Sequence, residues 1–358
     1  MATYILRRII LTIPVLVGIL VLVFFLSRIL PGSQCYALLG ERATPAQCAA
    51  FDHAQGFDRP IPTQFVDYLG KVAQGDLGSS IKTSTPVTTL LIQRLPMTIE
   101  LTFYALFFAT IGGVILGIIS AVRRNSAIDV GTVAFANIGV SIPIFVLGLL
   151  LAYVFAVALK GTPLALPPSG RLSPGVTIIP LATRWGLEAM QGPPRAILDF
   201  VSNIYTLNAL ITLQWAVFWD AVRHMILPAL VLGTIPLAII TRITRSSLLD
   251  VLGLDYIRTA RAKGLIDRNV ARRHGLPNAI LPVVTIIGLQ LGSLLGGAVL
   301  TETIFNLAGV GRAVTEAIAT RDYSVVQGFV LVIAIGYLVL NLVVDISYAF
   351  LDPRVRLS

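Results

Sequence analysis

Long apolar stretches dominate the pattern of hydrophobic and polar positions along this chain. A helix needs about 20 predominantly apolar residues to cross a bilayer, because every backbone amide must find its partner inside the segment. We therefore predict an all-α membrane protein with about six transmembrane helices. The predicted spans are Ile9–Leu30, Ile99–Val122, Val133–Leu159, His224–Ile240, Ala279–Leu300 and Val325–Leu351.

The fourth predicted span is the weakest of the six. It is short, and Pro228 and Pro236 each remove a backbone donor, so we expect a kinked helix. The spans divide the chain into an N-terminal segment with the first helix (1–30), a loop region (31–98) and a transmembrane core (99–358). Within that core we predict an insertion at 160–223 and a basic loop at 241–278.

The composition fits a lipid environment. Of the 358 residues 56% are hydrophobic and 13% are charged, against roughly 25% charged residues in ordinary soluble domains. In a soluble chain a net charge of +9 would raise nucleic acid as a partner. Here the charges lie between apolar runs, so we expect the lipid bilayer as the partner and no nucleic acid.

The basic residues predict the orientation of the chain. Cytoplasmic segments of membrane proteins carry an excess of Lys and Arg, so we expect both termini and the loop 241–278 in the cytoplasm. The basic residues placed in the cytoplasm, which include two between the second and third spans, are Arg7, Arg8, Arg123, Arg124, Arg242, Arg245, Arg258, Arg261, Lys263, Arg268, Arg272, Arg273, Arg354 and Arg356.

Two long loops, 31–98 and 160–223, are then external. Both are rich in Pro, Gly and polar residues, and we interpret them as ordered caps that face an external partner. A flexible linker is the alternative, but the second loop holds many apolar anchors, which favour amphipathic segments. These anchors are Trp185, Phe200, Trp215, Phe218 and Trp219.

Cys35 and Cys48 both lie in the first external loop. An oxidising compartment permits a disulfide between them. Two free thiols remain an open alternative at this point.

Glycines recur every four residues in two spans. Gly113 and Gly117 lie in the second span, and Gly288, Gly292 and Gly296 lie in the fifth. This spacing lets helix backbones approach closely, so we predict helix contacts at these positions. A role of the same faces in lining a substrate conduit is the alternative.

A few polar side chains fall inside or near the spans. Asp345 lies well inside the last span, where we favour structural pairing, for example with Asn341, over a proton or ion pathway. Arg28, Glu100 and Glu302 lie near helix ends, where we expect them to extend to the membrane interface.

Sequence patterns of catalytic chemistry are missing. The two cysteines and His53, His224 and His274 have no metal-site spacing, and neither a serine-hydrolase elbow nor a phosphate-binding loop occurs. We therefore expect no enzyme activity and no cofactor in this chain. Any ATP is bound by another subunit.

The basic loop 241–278 has helical organisation in its middle. Asp255 starts a predicted short helix that runs to Lys263, and Gly264 ends it, as helix dipoles and C-terminal caps prefer. We expect its small side chains to leave room for another protein. They are Thr259, Ala260 and Ala262.

This loop resembles the EAA loop of ABC importer permeases, of the form E-A-A-x3-G-x9-I-x-L-P, whose short coupling helix inserts into a groove on an ATPase subunit. Ala260, Gly264, Leu276 and Pro277 fall in that register. The departures are Arg258, Thr259 and His274 in place of glutamate, alanine and isoleucine. The stretch Asp255-Tyr256-Ile257-Arg258-Thr259-Ala260-Arg261-Ala262-Lys263-Gly264 is similar to the version in permeases of the dipeptide and oligopeptide type.

The resemblance extends over most of the chain and is weakest at about 163–219. Its other motifs are Arg7-Arg8, Gly75-Asp76-Leu77-Gly78, Leu227-Pro228-Ala229, Thr301-Glu302-Thr303-Ile304-Phe305, Gly309-Val310-Gly311-Arg312, Arg321-Asp322-Tyr323 and Asp352-Pro353-Arg354.

The resemblance implies a type I importer permease fold in the bacterial inner membrane and an alternating-access mechanism. It also implies a heterodimer with a second permease, two cytoplasmic ATPases that bind ATP and Mg²⁺, and an external solute-binding protein. Short peptides are the expected substrate, with nickel complexes, glutathione, haem or sugars as alternatives. A proton-coupled carrier would need several paired intramembrane acids or histidines, and a membrane enzyme would need a nucleophile and a base on facing spans.

Overall fold

The computed structural model describes residues 2–29, 33–40 and 42–351, and these residues are predominantly α-helical. Leu30, Arg356 and the motif Asp352-Pro353-Arg354 lie outside the described residues. The helices are α1 (Ala2–Ile29), α2 (Gln34–Leu39), α3 (Pro45–Gln55), α4 (Ile61–Ala73), α5 (Val87–Val122), α6 (Ala127–Ser141), α7 (Ile144–Ala152), α8 (Leu181–Arg184), α9 (Pro193–Ser202), α10 (Tyr205–Ile211), α11 (Trp215–Leu252), α12 (Asp255–Ala262), α13 (Asp267–Asn269), α14 (Leu276–Gly297), α15 (Val299–Ile304), α16 (Val310–Ala319) and α17 (Tyr323–Leu351). Two π-helical turns, Tyr153–Ala158 and Val270–Gly275, follow α7 and α13.

Five helical segments in the described ranges are long and apolar enough to cross a membrane. A sixth arises if the bent pair formed by α6 and α7 is counted as one span. The prediction of about six spans in an all-α protein is confirmed. The five segments are Ile10–Ile29, Val87–Val122, Trp215–Leu252, Asp267–Gly297 and Tyr323–Ile346.

The third predicted span is wrong as one continuous helix. α6 and the segment Ile144–Ala158 meet at an angle of 102°. The residue before Pro143 is Ile142, whose extended backbone (φ −85°, ψ 128°) ends α6. A residue that precedes proline is disfavoured in the α conformation, which explains the break.

The fourth predicted span is the longest helix rather than a short one. α11 has 38 residues and contains both Pro228 and Pro236. In its most apolar window 56% of the residues are buried, against 11–33% for the other four segments. Packing by neighbouring helices makes prolines tolerable in membrane helices. Trp215 and Trp219, predicted to anchor a separate segment, lie in the first turns of α11.

Two compact units make up the described chain. The first contains the residues up to Met97, Ile179–Ile204 and Ala308–Leu338. The second contains Thr98–Ile178, Tyr205–Leu307 and the residues from Val339 onward. In their described residues the long loops 31–98 and 160–223 contain the short helices α2, α3, α4, α8, α9 and α10.

The first unit has an apolar core and an aromatic cluster. Phe24 of α1 is fully buried and contacts Phe65 and Tyr68 of α4. The guanidinium of Arg28 lies 3.5 Å from the centroid of the Phe24 ring and donates a hydrogen bond to Gln64. Within the described residues Arg28 is partly buried and is held by contacts with α4 and with Phe24 of its own helix. The apolar core consists of Val87, Leu91, Val310, Ala317, Val325 and Phe329.

A disulfide joins Cys35 in α2 to Cys48 in α3. Both residues are buried, at 0% and 8% exposure. Of the two alternatives, the structure has the bonded form. The bond closes a short loop, which restricts the unfolded chain and stabilises the folded unit.

The second unit is organised around α11. Ile240 packs with Ala109 of α5 and Val283 of α14 in one buried cluster. About two turns further along α11, Leu248 packs with Ala121 and Ala279 of the same two helices. α11 therefore contacts both α5 and α14 in two successive clusters along its length.

Glycines allow the closest helix contacts of this unit. A Cβ at Gly113 would lie 2.8 Å from Ile240, and one at Gly117 would lie 2.5 Å from Thr244 Cβ. A Cβ at Gly288 would lie 2.6 Å from Val344 of α17. Gly292 is buried. Gly296 has open space beside it in the described part of the chain, so the packing expected there is not formed within this chain.

We predict that Gly117→Ala destabilises the protein. The new methyl group meets the Thr241 carbonyl oxygen at 2.8 Å as well as Thr244, so α5 and α11 must separate. Overpacking of this kind costs about 1–3 kcal/mol, which thermal unfolding of the purified protein would report as a lower midpoint. Gly131→Ala in α6 is the matched control, since nothing lies within 4 Å of its Cβ. Equal losses in both variants would contradict the close contact.

Candidate functional site

The short helix α12 has one face packed on its own chain and one face exposed. Ile257 and Ala260, one turn apart, are buried against Val270 and Leu252. Asp255 lies in the first turn and Arg261 in the last, as the helix dipole favours. The predicted helix at this place is confirmed. Its remaining side chains form the exposed face, namely Asp255, Tyr256, Arg258, Thr259, Arg261 and Ala262, followed by Lys263.

One detail of the predicted packing surface is wrong. Ala260 was expected to receive another protein, but only 8% of it is exposed because it faces Val270. Thr259 and Ala262 lie on the exposed face. The small residues therefore serve two different contacts, one internal and one available to a partner.

A tight turn follows α12. Gly264 adopts φ +80°, a left-handed conformation that glycine reaches without strain. Arg261 Nε lies 3.0 Å from Asp267 Oδ1 and so bridges this turn. Arg258, which replaces the leading glutamate of the EAA pattern, lies 3.3 Å from Asp255 in an exposed pair. Such exposed pairs contribute little to stability, so Arg258 leaves a positive group on the surface.

The π-helical turn Val270–Gly275 links α12 to α14. The hydroxyl of Tyr256 donates a hydrogen bond to the carbonyl oxygen of His274 at 3.2 Å. The side-chain amide of Asn278 donates to the same carbonyl and to the Tyr256 hydroxyl, both at 3.0 Å. A π-turn shifts the backbone hydrogen bonds, and here side chains from both helices satisfy the carbonyl. Leu276 and Pro277 follow as the first turn of α14.

At the other end, α12 is joined directly to α11. Only Gly253 and Leu254 separate Leu252, the last residue of α11, from Asp255. Leu252 also contacts the buried face of α12. α12 is therefore attached to α11 by a short covalent link and to α14 by hydrogen bonds.

A buried ion pair lies near this end of α11. Asp129 of α6 is 4% exposed and receives two hydrogen bonds from Arg245 of α11, each of 2.8 Å. The Ser120 hydroxyl at the end of α5 and the backbone N–H of Asn125 donate to the same carboxylate. Three helices are thus joined at one carboxyl group.

Our sequence reasoning missed this cluster. Ser126 caps α6 and its hydroxyl accepts a hydrogen bond from the N–H of Asp129. That Ser-x-x-Asp spacing, together with Arg245 next to Thr244 on an apolar helix, is the signal that could have indicated it.

Two further carboxyl groups of the second unit are buried. Glu100 is 3% exposed and accepts hydrogen bonds from Arg171 Nη2 at 2.7 Å and from the Thr206 N–H and hydroxyl at 2.8 and 2.6 Å. Glu302 is fully buried and accepts a hydrogen bond from the Thr98 hydroxyl at 2.5 Å. The expectation that both extend to the interface is wrong, because folded segments supply donors and make burial tolerable.

The described residues contain no group of three His, Cys, Asp or Glu side chains that could hold a metal ion. What they do contain is a helix with an exposed polar face, attached to two long apolar helices at the edge of a helical bundle. This arrangement can transmit a rigid-body movement.

Comparison with known proteins identifies the family. Residues 113–357 match the family described as "Binding-protein-dependent transport system inner membrane component". The chain belongs to this family. Residues 1–102 match the N-terminal family of the same membrane components. This inner membrane component is therefore a multi-pass protein of the bacterial inner membrane and the permease part of a transport complex with other subunits.

Curated relatives align with nearly the whole component. It is 41% identical over 356 residues to the dipeptide transport system permease protein of Alkalihalophilus pseudofirmus, covering 99% of this chain and 100% of the relative. It is 42% identical over 357 residues to the di/tripeptide transport system permease protein of Pseudomonas aeruginosa, and 43% identical over 360 residues to the dipeptide transport system permease protein of Escherichia coli. Both alignments cover 99% of each chain.

We predict that Asp129→Asn destabilises the component by about 3 kcal/mol, since it leaves Arg245 without its carboxylate in a mostly buried site. Thermal unfolding of the purified protein measures the loss. Asp250→Asn is the control, because Asp250 is exposed at the end of α11. If the two substitutions lowered the midpoint equally, the buried pair would not be the stabilising feature.

Proposed function

We propose that this chain is one of two related membrane-spanning subunits of an ABC importer that moves short peptides across the inner membrane by alternating access. The relatives named as dipeptide and di/tripeptide permeases support the substrate class. In this proposal both termini and α12 are cytoplasmic. An external solute-binding protein delivers the peptide, and two cytoplasmic ATPases bind ATP and Mg²⁺.

The main support for the proposal is the way in which α12 is attached to the helices beside it. Its exposed face offers Thr259 and Ala262, small residues over which an ATPase groove can close, with Arg258, Arg261 and Lys263 around them. Its buried face is fixed to Leu252 and Val270. A push on the exposed face is therefore passed to α11 and α14 rather than absorbed by a loose loop.

In the proposed cycle, ATP binding closes the ATPase pair and displaces α12. Because α11 packs on α5 as well as α14, the displacement of one helix moves its neighbours as packed bodies. The pathway then opens toward the solute-binding protein, and hydrolysis resets it. This chain contributes half of the pathway and binds no nucleotide.

We predict that Ala262→Trp abolishes ATP-driven uptake while the chain still folds. The indole occupies the exposed face of α12 and blocks the ATPase groove. Co-purification of the ATPase subunits and peptide uptake into proteoliposomes measure the effect. Ala127→Trp, at the exposed start of α6 and outside both α12 and the external loops, is the matched control. Normal ATPase association and uptake in the Ala262 variant would refute docking at this face.

The substrate class is tested by uptake into proteoliposomes that contain the complete complex and its solute-binding protein. We expect ATP-dependent uptake of a labelled dipeptide, and little uptake of glutathione, haem or a nickel complex. Preferential uptake of one of these three would replace the peptide assignment but keep the importer role. Uptake that needs a proton gradient and no ATP would overturn both and favour a secondary carrier.

A further inference from the structure

A cavity of about 360 Å³ lies in the second unit, beside the end of α5 and the segment that follows α12. The site proposed for the ATPase does not use it. Its lining residues are Ile118, Val122, Arg268, Ala271, Arg272 and Leu276.

The lining changes from apolar to basic along the cavity. Ile118 lies one turn inside α5 and Leu276 begins α14, so these side chains belong to the apolar ends of two candidate spans. Arg272 lies about one turn before Leu276 and Arg268 about two turns before it, and both are exposed. Arg123 and Arg124 directly follow Val122. The cavity therefore lies where the hydrocarbon-facing surface gives way to positive charge.

The two arginines of the cavity have no carboxylate partner among the described residues. The neighbouring acid, Asp267, is paired with Arg261. Arg245, in contrast, has its charge matched by Asp129. Two unmatched guanidinium groups one turn apart, beside an apolar wall, suit a ligand that is anionic at one end and apolar at the other.

We propose that this cavity binds an anionic phospholipid. Its phosphate accepts hydrogen bonds from Arg268 and Arg272, and an acyl chain lies along Ile118, Val122 and Leu276. A basic pocket between helices at the membrane surface fits a lipid headgroup, and the apolar wall continues into the bilayer that supplies the ligand. A free phosphate could bind the same two arginines, but it has no acyl chain to pack against the apolar wall. The site is separate from the exposed face of α12 and does not depend on the peptide assignment.

A lipid in this position joins the end of α5 to the segment that follows α12. The π-helical turn that carries Arg272 also packs against α12 through Val270. The lipid thus restrains the segment on which α12 is mounted.

The test uses the full-length chain purified in its transport complex, with lipid retention measured by native mass spectrometry. The probes are phosphatidylglycerol, zwitterionic phosphatidylethanolamine and inorganic phosphate. We expect preferential retention of phosphatidylglycerol. Arg268→Gln combined with Arg272→Gln should weaken it about 30-fold, since each arginine near a lipid surface contributes about fivefold. Arg273→Gln is the matched control, because Arg273 is an exposed residue of the same turn that does not line the cavity.

A second variant keeps both arginines and tests the apolar wall. Val122→Trp fills the cavity from α5 and should also reduce phosphatidylglycerol retention, so the proposal stays testable if the double variant fails to fold. Equal retention in wild type and these variants would overturn the site. An equal loss in Arg273→Gln would show a general surface-charge effect and also overturn it. Displacement of the lipid by inorganic phosphate would assign the arginines to a free anion instead.

Discussion

The close approach of α5 to α11 is the contact on which the second unit depends. Gly113 and Gly117 bring the α5 backbone against Ile240 and Thr244, and Gly233 of α11 lies where a Cβ would meet the Ala105 carbonyl oxygen at 2.8 Å. Between two helices in lipid, burial of apolar side chains adds little, so close packing must supply the attraction. α14 and α12 are then positioned by their contacts with the helix that α5 holds.

Buried carboxyl groups fix the relative positions of the packed helices. Small residues allow two helices to slide past each other at little cost, but the two hydrogen bonds from Arg245 to Asp129 permit one geometry only. Glu100 acts similarly, because it joins α5 to Arg171 and to the start of α10. Each group is costly to bury alone and is tolerated because its partners are part of the same unit. The ion pairs therefore select among the packings that glycine allows.

Apolar length was enough to predict about how many segments could cross a membrane, since the requirement for internal hydrogen bonding in lipid is local. It did not predict their ends. The basic residues from Arg242 onward suggested a loop after Ile240, although α11 continues through them to Leu252. The Asp129–Arg245 pair joins positions 116 residues apart, so it needed knowledge of which helices are neighbours. α12 was predictable because its acidic start, its small residues and Gly264 all lie within one short segment.

The bend between α6 and α7 affects whether the chain crosses the membrane an even or an odd number of times. The two arms, α6 and the segment Ile144–Ala158, have 15 residues each and span about 22 Å, so neither alone crosses a hydrocarbon core of about 30 Å. If the pair only dips into the membrane, the crossings number five and the two ends of the polypeptide lie on opposite sides. If it passes through, they number six and the ends share a side. The proposed cytoplasmic placement of both ends, which rests on the basic residues Arg7, Arg8, Arg354 and Arg356, corresponds to the even number. Pro143 thus lies at the bend that determines on which side of the membrane the chain continues.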